Sequence, residues 1–261
     1  MLTVGKRNEF VEFGLIHLPG AVARSDAAKM CDLLWATLAK QHNMHRDAPE
    51  TWNAGGAYGI QAPARSGVFS TMGSVMVRSA LDGLFGPDSW EEPRHWGQPL
   101  VTFPSPAKRW DVPYASWHLD APAPSLAPKL PGVIVFVFRA PVLDRGGGTV
   151  ILAGSHRLVE AFAASADPSE EGRSADVRKA FNRTEPWLRA LWSRDDRADR
   201  VQRFMIDGAV IRGISVKLVE LTGEAVDAII WRPWLFHAAA SNCRSLPPLM
   251  LKQPIIPTPG V

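Results

Sequence analysis

Two short stretches far apart in the chain carry side chains that can act on one point: Trp117-His118-Leu119-Asp120 and Trp234-Leu235-Phe236-His237. On a strand, residues i and i+2 share a face, so His118 and Asp120 can converge. A third donor from a distant strand, His237, completes two imidazoles and one carboxylate. That set holds a divalent metal and leaves about three coordination positions open, the arrangement that non-haem Fe(II) uses for oxygen chemistry. The same donors would also take zinc.

Other candidates for chemistry are weaker. His156, in Gly154-Ser155-His156, reads as structural: a strand ends, Ser155 caps the next helix and His156 packs nearby. Gly146-Gly147-Gly148 lacks the Gly-Lys-Ser/Thr ending of a phosphate loop and reads as a tight turn with positive φ. Neither cysteine has a reactive context, and there is no Gly-x-Ser-x-Gly elbow or dinucleotide fingerprint. Most of the ten tryptophans read as packing. Trp117 and Trp234 adjoin the metal motifs and are candidates to wall a pocket, and Trp187 and Trp192 are candidates for a lid.

Residues that meet in this way need strands to hold them, and the chain has the length for a substantial core. Its 261 residues are 46% apolar and 21% charged, ordinary for a folded domain. No long apolar run indicates a membrane span, and Met1–Leu18 does not read as a signal peptide. Two cysteines, Cys31 and Cys243, are too few for a disulfide framework, so a cytoplasmic setting is expected. The net charge of +3 is mild. Basic residues cluster between Arg173 and Arg203 among interleaved acids, which reads as a solvated helical face and not as a nucleic-acid surface. A lesser possibility is that some of them line an anion pocket.

The pattern of elements is mainly β with flanking helices, α+β. Phe10–Gly20 reads as a strand and turn, and Ser25 as the N-cap of an amphipathic helix through Leu38. Residues 43–66 form a loop, and Ser70–Leu84 a second helix stopped by Gly86-Pro87. From about residue 98 short β-rich segments follow: Leu100–Phe103, Tyr114–Asp120, Gly132–Arg139 and Thr149–Leu152. Residues 155–205 turn helical, with an interruption near Pro186. Strands return at Ile214–Leu221, Ala225–Trp231, Leu235–Ala239 and Leu249–Ile255. Seven or eight strands with one helical insertion fit a jelly roll. We read residues 1–261 as one domain, with 1–97 as helical support and 98–261 as the core.

Four motifs in order carry a family resemblance: Phe13-Gly14-Leu15-Ile16-His17-Leu18-Pro19-Gly20, then His118-Leu119-Asp120, then Gly147-Gly148-Thr149…Gly154-Ser155-His156-Arg157, then His237-Ala238-Ala239-Ala240-Ser241-Asn242. The chain resembles the phytanoyl-CoA dioxygenase-like branch of the Fe(II)/2-oxoglutarate-dependent oxygenases. The resemblance implies a double-stranded β-helix, the cupin-like jelly roll. It implies that His118, Asp120 and His237 hold Fe(II), that 2-oxoglutarate chelates the iron, and that dioxygen is consumed to hydroxylate a small molecule.

One position departs from that pattern. An arginine ten or eleven residues after the second metal histidine usually pairs with the distal carboxylate of 2-oxoglutarate, and here those positions are Pro247 and Pro248. Arg244 and Lys252 are the substitute cations, and Thr149 a hydroxyl donor to the same carboxylate. Two alternatives follow: a catalytically silent metal-binding jelly roll, or a jelly-roll metalloenzyme that does not use 2-oxoglutarate.

Overall fold

The structure is a computed structural model and describes residues 2–53, 56–105, 109–123, 130–165, 172–194 and 199–259. Strand β3 (Val133–Phe138) lies at the centre of a five-stranded sheet, with all six residues buried. One face meets helices and the other meets a second sheet, so the strand is apolar throughout. It pairs antiparallel with β7 (Ala228–Trp231) on one side and β9 (Leu249–Ile255) on the other. The edges are β1 (Leu15–Leu18) and β2 (Gln98–Val101). The opposing sheet has four strands in the order β5 (Ala209–Ile211), β6 (Ile214–Glu220), β4 (Thr149–Ala153), β8 (His237–Ala239).

Strand periodicity sorts the core into three layers. Ile134, Phe136, Phe138, Ile151, Trp231 and Met250 fill the space between the sheets. Val133, Val135 and Val137 point the other way, under the N-terminal helices, where they meet Met30, Leu34 and Phe69. Val150 and Leu152 point outward from the smaller sheet onto Leu158, Phe181 and Leu188 of the helical insertion. Two antiparallel sheets face to face with helices outside form a jelly roll of the α+β class, as the residue pattern indicated.

Several boundaries differ from the sequence reading. Phe10 to Phe13 are helical, not extended: α1 (Val4–Phe13) starts at Thr3, whose hydroxyl accepts the Lys6 N–H, and stops at Gly14 with φ +82°. Cap and stop together define this short helix. Helix α2 (Arg24–His42) begins at Ala23, so Ser25 lies inside its first turn and does not cap it. Helix α3 (Val75–Phe85) takes Ser74 as its N-cap, after a 3₁₀ turn over Val68–Met72. The insertion holds α4 (Ser155–Ser165), α5 (Ser174–Thr184) and α6 (Pro186–Leu191), then a π-helical turn over Gln202–Asp207. Pro186 is the first residue of α6, where its missing N–H costs nothing.

The basic cluster is not uniformly a solvated face. Arg200 is 3% exposed and donates to the carbonyls of Ala190, Leu191 and Ser193, capping the end of α6. Asp195, Asp196 and Arg197 lie outside the described residues. Among the described residues, no helix is long and apolar enough to cross a membrane.

Candidate metal centre

His118, Asp120 and His237 offer one ligand atom each, all within 4.8 Å of one another. His237 opens β8, and its backbone exchanges both hydrogen bonds with His118, at 3.0 and 3.1 Å. This cross-strand pair brings the imidazole centroids to 4.1 Å. The register then runs from His237 to Ile151 of β4 and on to Val219 of β6. Ile151 packs between the sheets while Ala238 packs outside, so the His237 side chain enters the barrel.

The expected strand over Tyr114–Asp120 reduces to this one bridged pair. Ser116 has φ +64°, which turns the chain away from sheet geometry just before His118. Past the bridge, the Asp120 N–H reaches the Pro233 carbonyl at 2.9 Å. Helix α5 supplies the bonds that a longer ladder would have made. The Ser174 hydroxyl accepts the Leu119 N–H at 3.0 Å, and the Arg178 guanidinium donates to the Trp117 carbonyl at 2.9 Å. Positions 174 and 178 share a helix face one turn apart. Sequence reading missed both, because nothing local links that helix to residues 117–119.

Each imidazole is oriented by its own backbone. His118 Nδ1 lies 2.8 Å from the Ser116 carbonyl and His237 Nδ1 lies 3.0 Å from the Leu235 carbonyl, in both cases two residues upstream. A carbonyl can only accept, so these contacts assign the proton to Nδ1 and leave Nε2 with a lone pair. They are the oriented partners that a metal-binding histidine requires. Both Nε2 atoms face Asp120, at 3.9 Å from His118 and 3.5 Å from His237. Asp120 Oδ2 and His237 Nε2 are buried and make no hydrogen bond. Burial alone would push the Asp120 carboxyl up, but the Lys252 ammonium in contact with it holds the group down in its charged form. Burial and the neighbouring His237 lower the pKa of His118. His118 is half exposed and His237 buried, so the cluster is open on one side.

The three candidate anchors differ in position. Lys252 lies on β9 opposite Phe136, and its ammonium contacts Asp120 Oδ1. Thr149 is buried on β4, two residues from the partner of His237 and on the same strand face. Arg244 is half exposed and engaged elsewhere: its Nε donates to the Asp144 carbonyl at 2.8 Å. Asn242, the asparagine of the last motif, is 1% exposed and braces this turn. Its amide donates to the Thr102 and Leu246 carbonyls, each at 2.9 Å, and its Oδ1 accepts the Arg244 N–H.

The tryptophans rearrange the expected pocket wall. Trp117 and Trp234 belong to the outer cluster under the insertion, with their indole N–H groups on the Pro113 and Pro122 carbonyls. Trp117 adjoins the bridged His118 and points to the opposite side of the chain, while Trp234 sits in the turn that precedes β8. Trp187 and Trp192 pack on Phe204 and Phe236 in the same cluster. The tryptophan near the site is Trp231, 5.7 Å from His237 between ring centroids, and its buried indole N–H has no acceptor. His156 is 1% exposed with Nε2 at 3.1 Å from the Val11 carbonyl, and burial pulls it down to about 3. Ser155 does not cap a helix; its hydroxyl accepts the Phe236 N–H at 3.0 Å. Gly147 has φ +81°, and a Cβ there would meet Asn242 Cβ at 2.7 Å, so the turn requires glycine.

No protein-family model and no curated protein sequence matches the chain. Solved structures do. The non-heme alpha ketoglutarate dependent carbocyclase SnoK from nogalamycin biosynthesis aligns with a TM-score of 0.55 at 14% identity, over 98% of this chain and 84% of its own. The epimerase SnoN from the same biosynthesis gives 0.52 at 14% identity, over 97% and 82%. HygX from Streptomyces hygroscopicus, solved with nickel and 2-oxoglutarate bound, gives 0.52 at 12% identity, over 99% and 88%. At such identities the likeness is one of fold, and it extends over nearly the whole of this chain.

Proposed function

We propose that the chain is a non-haem Fe(II)- and 2-oxoglutarate-dependent oxygenase that hydroxylates a small molecule. The observation that carries this reading is the convergence of two oriented Nε2 atoms and one ionised carboxylate inside a jelly roll. Buried polar atoms without partners are costly, so Asp120 Oδ2 and His237 Nε2 fit a cation between them. His118, Asp120 and His237 would hold the iron. Bound Fe(II), with 2-oxoglutarate and dioxygen, supplies the oxidising power for attack on a C–H bond. The alpha ketoglutarate dependence of SnoN and SnoK and the 2-oxoglutarate bound to HygX support the same co-substrate. The order of the four motifs supports the phytanoyl-CoA dioxygenase-like branch, and the paucity of cysteines a cytoplasmic setting.

Several side chains have definable tasks in this reading. The Ser116 and Leu235 carbonyls aim the two rings, and Asp120 supplies a negative charge at working pH. Lys252 is the cation within reach of the centre, so it takes the place of the usual arginine toward the carboxylates of 2-oxoglutarate. The Trp231 N–H is a further donor for such an acceptor, since an unmet buried donor costs about 1–3 kcal/mol. The half-exposed side of His118 is where a substrate would approach.

An anaerobic titration of metal-free protein with Fe(II), then 2-oxoglutarate, tests the reading. A visible charge-transfer band that saturates at one equivalent is the expected result; iron binding with no band overturns the 2-oxoglutarate assignment. The second reading, a metal-binding jelly roll without 2-oxoglutarate, is favoured by two observations. Arg244 is committed to Asp144, and Phe136, Phe138 and Met250 fill the barrel interior.

A further inference from the structure

A buried guanidinium lies beside a cavity on the outer face of the larger sheet. Arg139 follows β3 by one residue, so it shares the face of Val133, Val135 and Val137 and lies under α2. It is 3% exposed. Its Nε and Nη2 make no hydrogen bond, and Nη1 meets only the thioether of Met30 at 3.8 Å. A buried guanidinium with no carboxylate partner is among the costliest arrangements in a protein interior. Burial pulls its pKa down to about 9, so it is still a cation at neutral pH.

This side chain lines a cavity of about 310 Å³ between α2, Ala140-Pro141 and Ala225-Val226. Arg24 and Arg46 line it as well, against one carboxylate, Asp32, which is 3.1 Å from Arg46. Asp26, on the same turn as Arg24, is turned to Lys29 at 3.5 Å. The first turn of α2 forms part of the wall, and its N-cap, Ala23, offers no side-chain acceptor.

We propose that this cavity is a binding site for a small doubly charged oxyanion, a phosphate group or a dicarboxylate, separate from the metal centre. Arg139 forms its floor and makes the planar two-point contact that guanidinium offers such groups, while Arg24 and Arg46 close the exposed rim. Arg24, Arg46 and Arg139 outnumber the nearby carboxylates of Asp32 and Asp26, so the cavity keeps a net positive charge.

The test is calorimetric titration of the full chain with inorganic phosphate and with succinate, at ionic strength held by sodium chloride. Saturable one-to-one binding of either is expected, with the better ligand identifying the class. Arg139→Met should weaken it by about a hundredfold, the effect of one charge-assisted two-point contact. Arg24→Gln, at an exposed position with no packing role, should weaken it by about tenfold and keeps the test valid if the buried substitution perturbs folding. His237→Ala should leave it unchanged. No saturable binding of either anion overturns the proposal, as does binding that survives Arg139→Met or disappears with His237→Ala.

Discussion

His237 and His156 are the two deeply buried histidines of the molecule's described part, and they differ in what faces the second ring nitrogen. Each ring has one nitrogen on a backbone carbonyl, Leu235 for the first and Val11 for the second. The other nitrogen of His237 faces Asp120, with His118 alongside. The other nitrogen of His156 faces Gly14, where an added Cβ would lie only 2.5 Å away. Burial and one anchored nitrogen are thus common to a candidate ligand and a packing residue. A carboxylate opposite the lone pair separates them, because it is what draws in a cation.

The largest effect should come from removing that carboxylate. Asp120→Ala should lower Fe(II) affinity by well over the roughly 10–100-fold that outer partners of a metal site cost. His156→Gln should leave Fe(II) affinity unchanged, so equal losses in an anaerobic metal titration would erase the contrast. Next is the support from α5. Arg178→Met frees the Trp117 carbonyl beside His118 and should cost about tenfold in iron affinity. Retention of the thermal midpoint in that variant would separate positioning from general destabilisation. Lys252→Met removes a positive charge beside the centre. Iron should then bind about tenfold tighter in the absence of 2-oxoglutarate, since a like charge at contact distance costs on the order of 1 kcal/mol even in water. The same variant should bind 2-oxoglutarate more weakly, and tighter binding of both would exclude Lys252 as its anchor.

A separate test concerns His156 and is a matter of pH. Its folded pKa of about 3 lies below the unfolded value of about 6.5, so the unfolded chain binds the extra proton between those limits. Stability from the neutral ring is complete above about pH 6.5 and declines as pH falls toward 3. The slope is at most about 1.4 kcal/mol per pH unit for this group. Thermal midpoints of His156→Gln should be flatter across that window than those of the parent chain. Identical slopes would mean that the ring protonates without unfolding.

How far the residues foretold the structure depends on the range of the interaction. Leu249–Ile255 and the apolar run at Val133–Phe138 show their strand character in local pattern, and both are strands. The spacing of His118 and Asp120 carries the cluster itself. Local pattern misjudged Phe10–Phe13, where a cap at Thr3 and a stop at Gly14 outweigh β propensity. It also treated Tyr114–Asp120 as a strand, where one positive-φ residue leaves a single bridge. Two contacts over long separations left no trace in the sequence, Ser174 with Leu119 and Arg178 with Trp117, whereas Lys252 was a candidate for the site without its contact to Asp120 being foreseen. Each depends on topology, which places the partners more than 50 residues apart.

The clamp by α5 has a consequence for protein engineering. Exchange of the segment between β4 and β5 is the obvious way to retarget such a scaffold, since long connections tolerate replacement. In this molecule that segment also holds residues 117–119 in place. A grafted segment that lacks a hydroxyl and a guanidinium one helical turn apart would loosen the His118 arm, however well it suited the new ligand. Libraries in which those two positions are kept constant should yield more metal-loaded members than libraries that randomise them.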